Sequence, residues 1–328
     1  MKKMLCALLV AVPFVLTLAA QAPAPAPPAA PPPPAKSPSG ADISWAFAAT
    51  NGALPAEPDG PMSVPGSSKS YTRKQIDDLA NPPDWFPEEH PTPPSVVVKG
   101  HDAVLACGAC HLMSGHGHPE SADLSGLPAE YIRRTMMDFK SGARVEVNRM
   151  NTIAKGMSNE EIQQAADYFA ALKAAPWTEV KEAATVPKTF VGGGRMRHAS
   201  PEGGTEPIGN RIITLPADQN RVTKRDPKSG FIAYVPVGSI KKGEALVKTG
   251  AGGKSVACGI CHGETLRGIG NVPRLAGRHP AYIARQLYMF KDARRNSGDA
   301  LLMKRPVASL TDDDILNISA YLGSLPPA

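Results

Sequence analysis

The chain has 328 residues, enough for two ordinary domains with connections between them. Its 34 prolines and 30 glycines mark long stretches that are neither helix nor sheet. The formal charge of +6 is unevenly distributed, and without a basic-aromatic motif it does not point to nucleic acid.

In chain order, Lys2 and Lys3 precede a nearly all-apolar run from Met4 to Ala20 with small residues at its end. This predicts a signal peptide over 1–20 and export to the periplasm. The rival is an uncleaved anchor giving membrane association, but the run is short for a span and Pro13 interrupts it. Cys6 falls in the discarded segment. The run APAPAPPAAPPPPAKSP at 22–38 predicts a Pro-rich extended tether over 21–70.

A first domain is expected over 71–177 and carries the word Cys107-Gly-Ala-Cys110-His111. A middle helix begins near Pro128. Ser158-x-x-Glu161 is a capping box, and Ile162, Ala165 and Phe169 follow at helical spacing. A helix before the word is hard to find: PPSVVVKGHDAVL looks too short and too β-branched, so YTRKQIDDLA at 71–80 is the substitute. Trp85 is expected to anchor a proline-rich segment. Residues 178–238 lack helical periodicity and predict an ordered, mostly extended connector. The second domain, 239–328, opens with a helix over 239–249 closed by Gly250. It then carries Cys258-Gly-Ile-Cys261-His262, a helix from Pro280, and a last helix capped by Thr311.

The two domains are copies. At an offset of 151, Cys107 meets Cys258, Gly126 meets Gly277, Tyr131 meets Tyr282 and Phe139-Lys140 meets Phe290-Lys291. At 153, Met150 meets Met303 and Tyr168 meets Tyr321. Agreement over this length is internal duplication. The first copy is acidic and the second basic, which suits either mutual attraction or two different docking faces.

Cys-x-x-Cys-His is the attachment pattern of c-type haem. Two thiols on adjacent turns can add to the two vinyl groups of one porphyrin, and the next residue turns its imidazole to the iron. A thioredoxin-like pair would sit in a βαβ unit, and zinc would need four donors. Met150 and Met303 stand 39 and 41 residues after their histidines and are the candidates for the sixth ligand. The alternative is that both are core methionines.

CGACH with Met150 and SNEEIQQAADYFAAL, then CGICHG, PRLAG, YIARQLYMFK, Met303 and TDDDILNISAYL, resemble class I cytochrome c domains, and the tandem resembles the dihaem c4 type. The resemblance implies a mainly α fold, two class I cytochrome c domains joined by the connector. It also implies two covalently bound haem c groups and a role in electron transfer. By the resemblance, the Pro273 carbonyl receives the His262 N–H, Arg144 and Arg295 approach haem propionates, and Tyr321 packs near Gly243. Ala122 holds the place of Pro273 in the first copy. The expected function is a non-enzymatic, periplasmic carrier of single electrons. Its redox partners would be a dehydrogenase, a quinol-oxidising complex or a terminal oxidase. The alternatives are a haem enzyme (a peroxidase or a sulfur-compound oxidoreductase) and a cytochrome subunit of a dehydrogenase complex.

Overall fold

The computed structural model describes residues 35–146 and 149–327; the expected signal peptide and the start of the Pro-rich run lie outside them. The first domain contains α1 (Arg73–Asp77), α2 (Ser95–Val98), α3 (Gly108–His111), α4 (Ala129–Ser141), α5 (Met150–Gly156) and α6 (Asn159–Ala171). The connector holds β1 (Thr178–Glu182), β2 (Thr185–Pro187), β3 (Thr189–Val191), β4 (Arg197–Ala199), β5 (Thr205–Pro207), β6 (Ile213–Pro216), α7 (Gln219–Thr223) and β7 (Phe231–Val235). The second domain contains α8 (Ser239–Thr249), α9 (Gly259–His262), α10 (Pro280–Lys291), α11 (Lys304–Ala308) and α12 (Asp312–Ser324).

The last helix of each copy starts where its local chemistry says it should. Ser158 and Thr311 each accept the backbone N–H three residues on, and Glu161 and Asp314 reach back to the cap backbone. Duplication extends to single bonds. Gly126, in the left-handed region, donates to the Phe169 carbonyl at 3.0 Å, and Gly277 donates to that of Leu322 at 2.9 Å. Lys140 and Lys291 each lay an ammonium on the carbonyl before the last helix, those of Met157 and Leu310.

Each copy has its own apolar core, built on Leu127, Ile132, Ile162 and Phe169 in the first and on Ile283, Leu287, Ile315 and Leu322 in the second. The copies differ in what packs on the last helix. In the second, α8 crosses α12 at Gly243, where a Cβ would lie 1.9 Å from the Asn317 carbonyl oxygen and 2.7 Å from Tyr321 Cβ. Only glycine fits there. In the first, α1 is not the substitute expected from 71–80. Its Ile76 is buried in a separate cluster with Val64, Trp85 and Phe86. The place on α6 is taken by α2, whose Val96 and Val97 enter the core. Burying two valines, at about 2 kcal/mol each, outweighs the weak helical preference of a β-branched turn.

The tether expectation over 21–70 also needs correcting. From Ser37 onward this segment lies on the body of the protein. Ser37 and Ser39 donate to the Asp312 carboxylate, and Ile43, Trp45, Ala46 and Phe47 are buried in the second domain's core. The short run Ile-Ser-Trp-Ala-Phe is the apolar island in an otherwise proline-rich stretch, and burying its large side chains against α10 fixes it.

The connector forms a three-stranded sheet in the order β1-β7-β6, with β1 and β7 parallel, and two small antiparallel pairs, β2 with β5 and β3 with β4. Inward residues Phe231, Ala233 and Val235 alternate with half-exposed ones. Trp177 ties the start of the connector to the first domain by donating to the Gly117 carbonyl at 2.8 Å and stacking on His116.

Candidate functional site

Both words form a single helical turn, α3 and α9, and both histidines are almost fully buried, 8% exposed. Each imidazole is held the same way. His111 Nδ1 donates to the Ala122 carbonyl and His262 Nδ1 to the Pro273 carbonyl, both at 2.8 Å. The bond expected at Pro273 is therefore present, and Ala122 serves the same role because any carbonyl can accept. Donation from Nδ1 fixes the tautomer and leaves Nε2 with a lone pair for a metal. Burial lowers the affinity of both imidazoles for a proton, which keeps them neutral. Burial also pushes the Cys107 thiol up to about 12 and the Cys258 thiol up to about 11.

In the first copy, Cys107, Cys110, His111 and Met150 line one cavity, closed by Leu127, Ile132, Ile153 and Phe169. Met150 is the first residue of α5 and Met303 lies immediately before α11, so both stand at the start of the short helix that leads to the last one. Met303 packs against the second domain's core, as does Cys258. Met157, aligned with Leu310, is a core residue 2% exposed.

The cavity lining also carries buried cations. Arg144, Arg278 and Arg285 belong to it, together with Tyr131, Tyr282 and Gln286. Here the two copies meet, and the duplicated residues exchange partners. The backbone of Arg144 pairs with that of Arg295 across the junction. Arg144 donates to Gln286 Oε1 at 2.7 Å, and Arg295 donates to the same oxygen at 3.1 Å. Arg144 lies over Phe139 and Arg295 over the equivalent Phe290. Neither arginine is a solvated surface residue; both are buried.

Arg274 and Arg278 bond Asp123, the first through its carboxylate, the second through its carbonyl. Arg285 bonds Glu120 at 2.5 Å. Burial opposes ionisation of Tyr131, yet Arg295, Arg278 and Arg144 pull its phenol down to about 7. Among the described residues, five buried guanidiniums at this junction face two carboxylates, and the Nε atoms of Arg144, Arg274 and Arg278 are buried without a partner. Buried charge needs compensation. A flat, largely apolar group carrying carboxylates suits both parts of this lining: the thiols, imidazole and thioether, and the guanidiniums in excess of carboxylates. That is the shape and chemistry of a haem. The donor set does not fit zinc, since no group of three or more His, Cys, Asp or Glu among the described residues could hold a metal ion.

The Cytochrome c family model matches residues 240–326. Cytochrome c4 of Stutzerimonas stutzeri is 24% identical over 241 residues, covering 69% of this chain and 87% of its own. The thiosulfate dehydrogenase electron acceptor of Thiomonas intermedia is 27% identical, covering 67% of this chain and 79% of its own. Cytochrome c-554(548) of Halomonas halodenitrificans is 34% identical over 68 residues, covering 20% of this chain and 82% of its own. This chain belongs to the cytochrome c family. It is a dihaem, c4-like cytochrome with two covalently bound haem c groups, and it transfers electrons.

The junction of this cytochrome holds a pH-sensitive group that the sequence did not flag. His279, 2% exposed, caps α10, accepts from or donates to Thr178 at 2.7 Å, and leaves Nε2 buried and unpartnered. Burial pushes its imidazole down to about 3; Asp123 opposes this and Arg278 adds to it. In the unfolded chain the group titrates near 6.5. Between those values the unfolded chain binds the extra proton. Stability is therefore complete above pH 6.5 and is lost as the pH falls toward 3, at up to about 1.4 kcal/mol per unit. Denaturant midpoints of the holoprotein at pH 7 and pH 5 are expected to differ in that sense, and His279→Gln is expected to shrink the difference.

Proposed function

We propose that this cytochrome is a periplasmic carrier of single electrons. Cys107 and Cys110 would hold one haem and Cys258 and Cys261 the other, with His111 and Met150, and His262 and Met303, as axial ligands. Each haem iron supplies a one-electron couple. The protein's residues do the rest: the Ala122 and Pro273 carbonyls orient the imidazoles, the apolar cavity walls exclude water, and the junction guanidiniums neutralise carboxylates. The observation that carries this reading is that carbonyl-anchored His111 and Met150 line one cavity with both thiols of the first word.

The second copy supplies a docking face. Ile260, Ile269, Leu301 and Leu302 are exposed, and they come from the segments that bear Cys258, Cys261 and Met303. The surrounding sequence is basic, which suits an acidic redox partner such as a dehydrogenase subunit, a quinol-oxidising complex or a terminal oxidase. The N-terminal basic-apolar pattern supports export, and an uncleaved form would keep the protein at the membrane. The haem-enzyme alternative would need an iron with an open sixth position, which Met150 and Met303 as axial ligands would close.

Rapid mixing tests the reading. The oxidised protein should take up two electrons per chain from a soluble donor and return both to an acceptor, with protein partners reacting more slowly as salt rises. Turnover of peroxide or of a sulfur compound by the cytochrome alone would contradict it.

A further inference from the structure

The two attachment turns are built alike but covered differently. Ala109 and Ile260 hold the same place in the two words, yet Ala109 has no exposed surface and Ile260 is 70% exposed. Against the first turn lies the connector loop that follows α7. The first domain grips this loop from two sides: Trp85 Nε1 donates to the Lys224 carbonyl and Arg73 to the Thr223 carbonyl, each at 2.8 Å. Arg221, in α7, pairs with the fully buried carboxylate of the loop residue Asp226 at 2.7 Å. Arg225, between them, adopts a left-handed backbone with φ +59°, uncommon for a residue with a side chain. Its guanidinium returns into the first domain. Nε donates to the Ile76 carbonyl at 2.8 Å, and a terminal nitrogen donates to the Ala109 carbonyl, between the two cysteines of the word.

We propose that Arg225 is a positioning residue that makes the first haem different from the second: it fixes the Cys107–Cys110 turn through the Ala109 carbonyl and sets a positive charge beside the haem held there, raising its reduction potential. The proposal rests on the reading that Cys107, Cys110 and His111 hold a haem. A cation close to an iron disfavours the more positive, oxidised form, and a partly buried one is weakly screened. The connector thereby does more than join the domains. It divides the molecule into a clamped haem and an accessible one.

The test uses holoprotein carrying Arg225→Gln, in an NMR-monitored reductive titration with the two haems assigned through contacts to Ala109 and Ile260. The reduction equilibrium of the first haem should fall about tenfold, 59 mV for one electron, while the second stays in place. Arg225→Lys keeps the charge but cannot bridge two carbonyls as a guanidinium does. It should restore most of the potential, while amide exchange at Ala109 and Cys110 stays faster than in the parent. Unchanged potentials, an equal shift of both haems, or an Arg225→Lys protein as low as Arg225→Gln would overturn the proposal. The parent's haem count separates the two failures. One haem per chain overturns the attachment reading, and the proposal with it; two haems with no selective shift overturns the proposal alone.

Discussion

Gly243→Ala is expected to unfold the second domain at temperatures where the parent is stable. The added methyl would meet the Asn317 carbonyl oxygen at 1.9 Å and Tyr321 Cβ at 2.7 Å, both fixed parts of α12. Neither is the free end of a flexible side chain, so α8 and α12 must separate. That loosens the layer on which Val247, Ile315 and Leu322 depend. Overpacking of a fixed core contact costs roughly 1–3 kcal/mol and more when backbone atoms block relaxation. Substitution of Gly259, where a Cβ would meet its nearest atom at an ordinary 3.6 Å, is the matched control and should cost far less. Thermal unfolding of both holoproteins, followed by the loss of helix signal, measures the difference.

The second large effect is expected at Met303. Replacing it by alanine should lower the potential of the second haem by some hundreds of millivolts, within the span of about 0.8 V that axial ligands command. The same protein should gain an iron that binds carbon monoxide. Met157→Ala, at a methionine of the first copy aligned with Leu310, should leave the potential of the second haem near that of the parent while costing about 2–5 kcal/mol of stability. A Met303→Ala protein that keeps its potential and stays closed to the gas would make Met303 a packing residue.

The parts of this molecule that were legible in its sequence are those set by local chemistry. The capping boxes at Ser158 and Thr311, the helix over 239–249 and its left-handed close at Gly250 each depend on a few consecutive residues. So do the two haem words. The duplication itself carried Gly126 with Gly277, Lys140 with Lys291 and Arg144 with Arg295, and in the structure the members of each pair do matching work.

What stayed hidden depends on partners far along the chain. A four-residue turn of three valines reads as strand or loop until α6 is there to bury Val96 and Val97. Trp45 and Phe47 look like loose apolar residues in a tether until α10 supplies the surface. The pairing of β1 with β7 joins residues over fifty positions apart, and no periodicity announces it. Arg225 is one basic residue among nine in the connector, and only the fold brings it to Ala109. The arginine excess at the junction shows the same limit. Arg274, Arg278 and Arg285 are scattered among ordinary charges in the sequence, and their burial arises only where the two copies meet.

Reductive titration of the haem-loaded protein, followed optically with and without carbon monoxide, tests the central claim most directly. Two closed His/Met irons predict two haems per chain, both titrating at fairly high potential and neither binding the gas. One haem that binds it readily would contradict that claim and place an open or displaceable coordination site on that iron, making the protein an enzyme or a sensor.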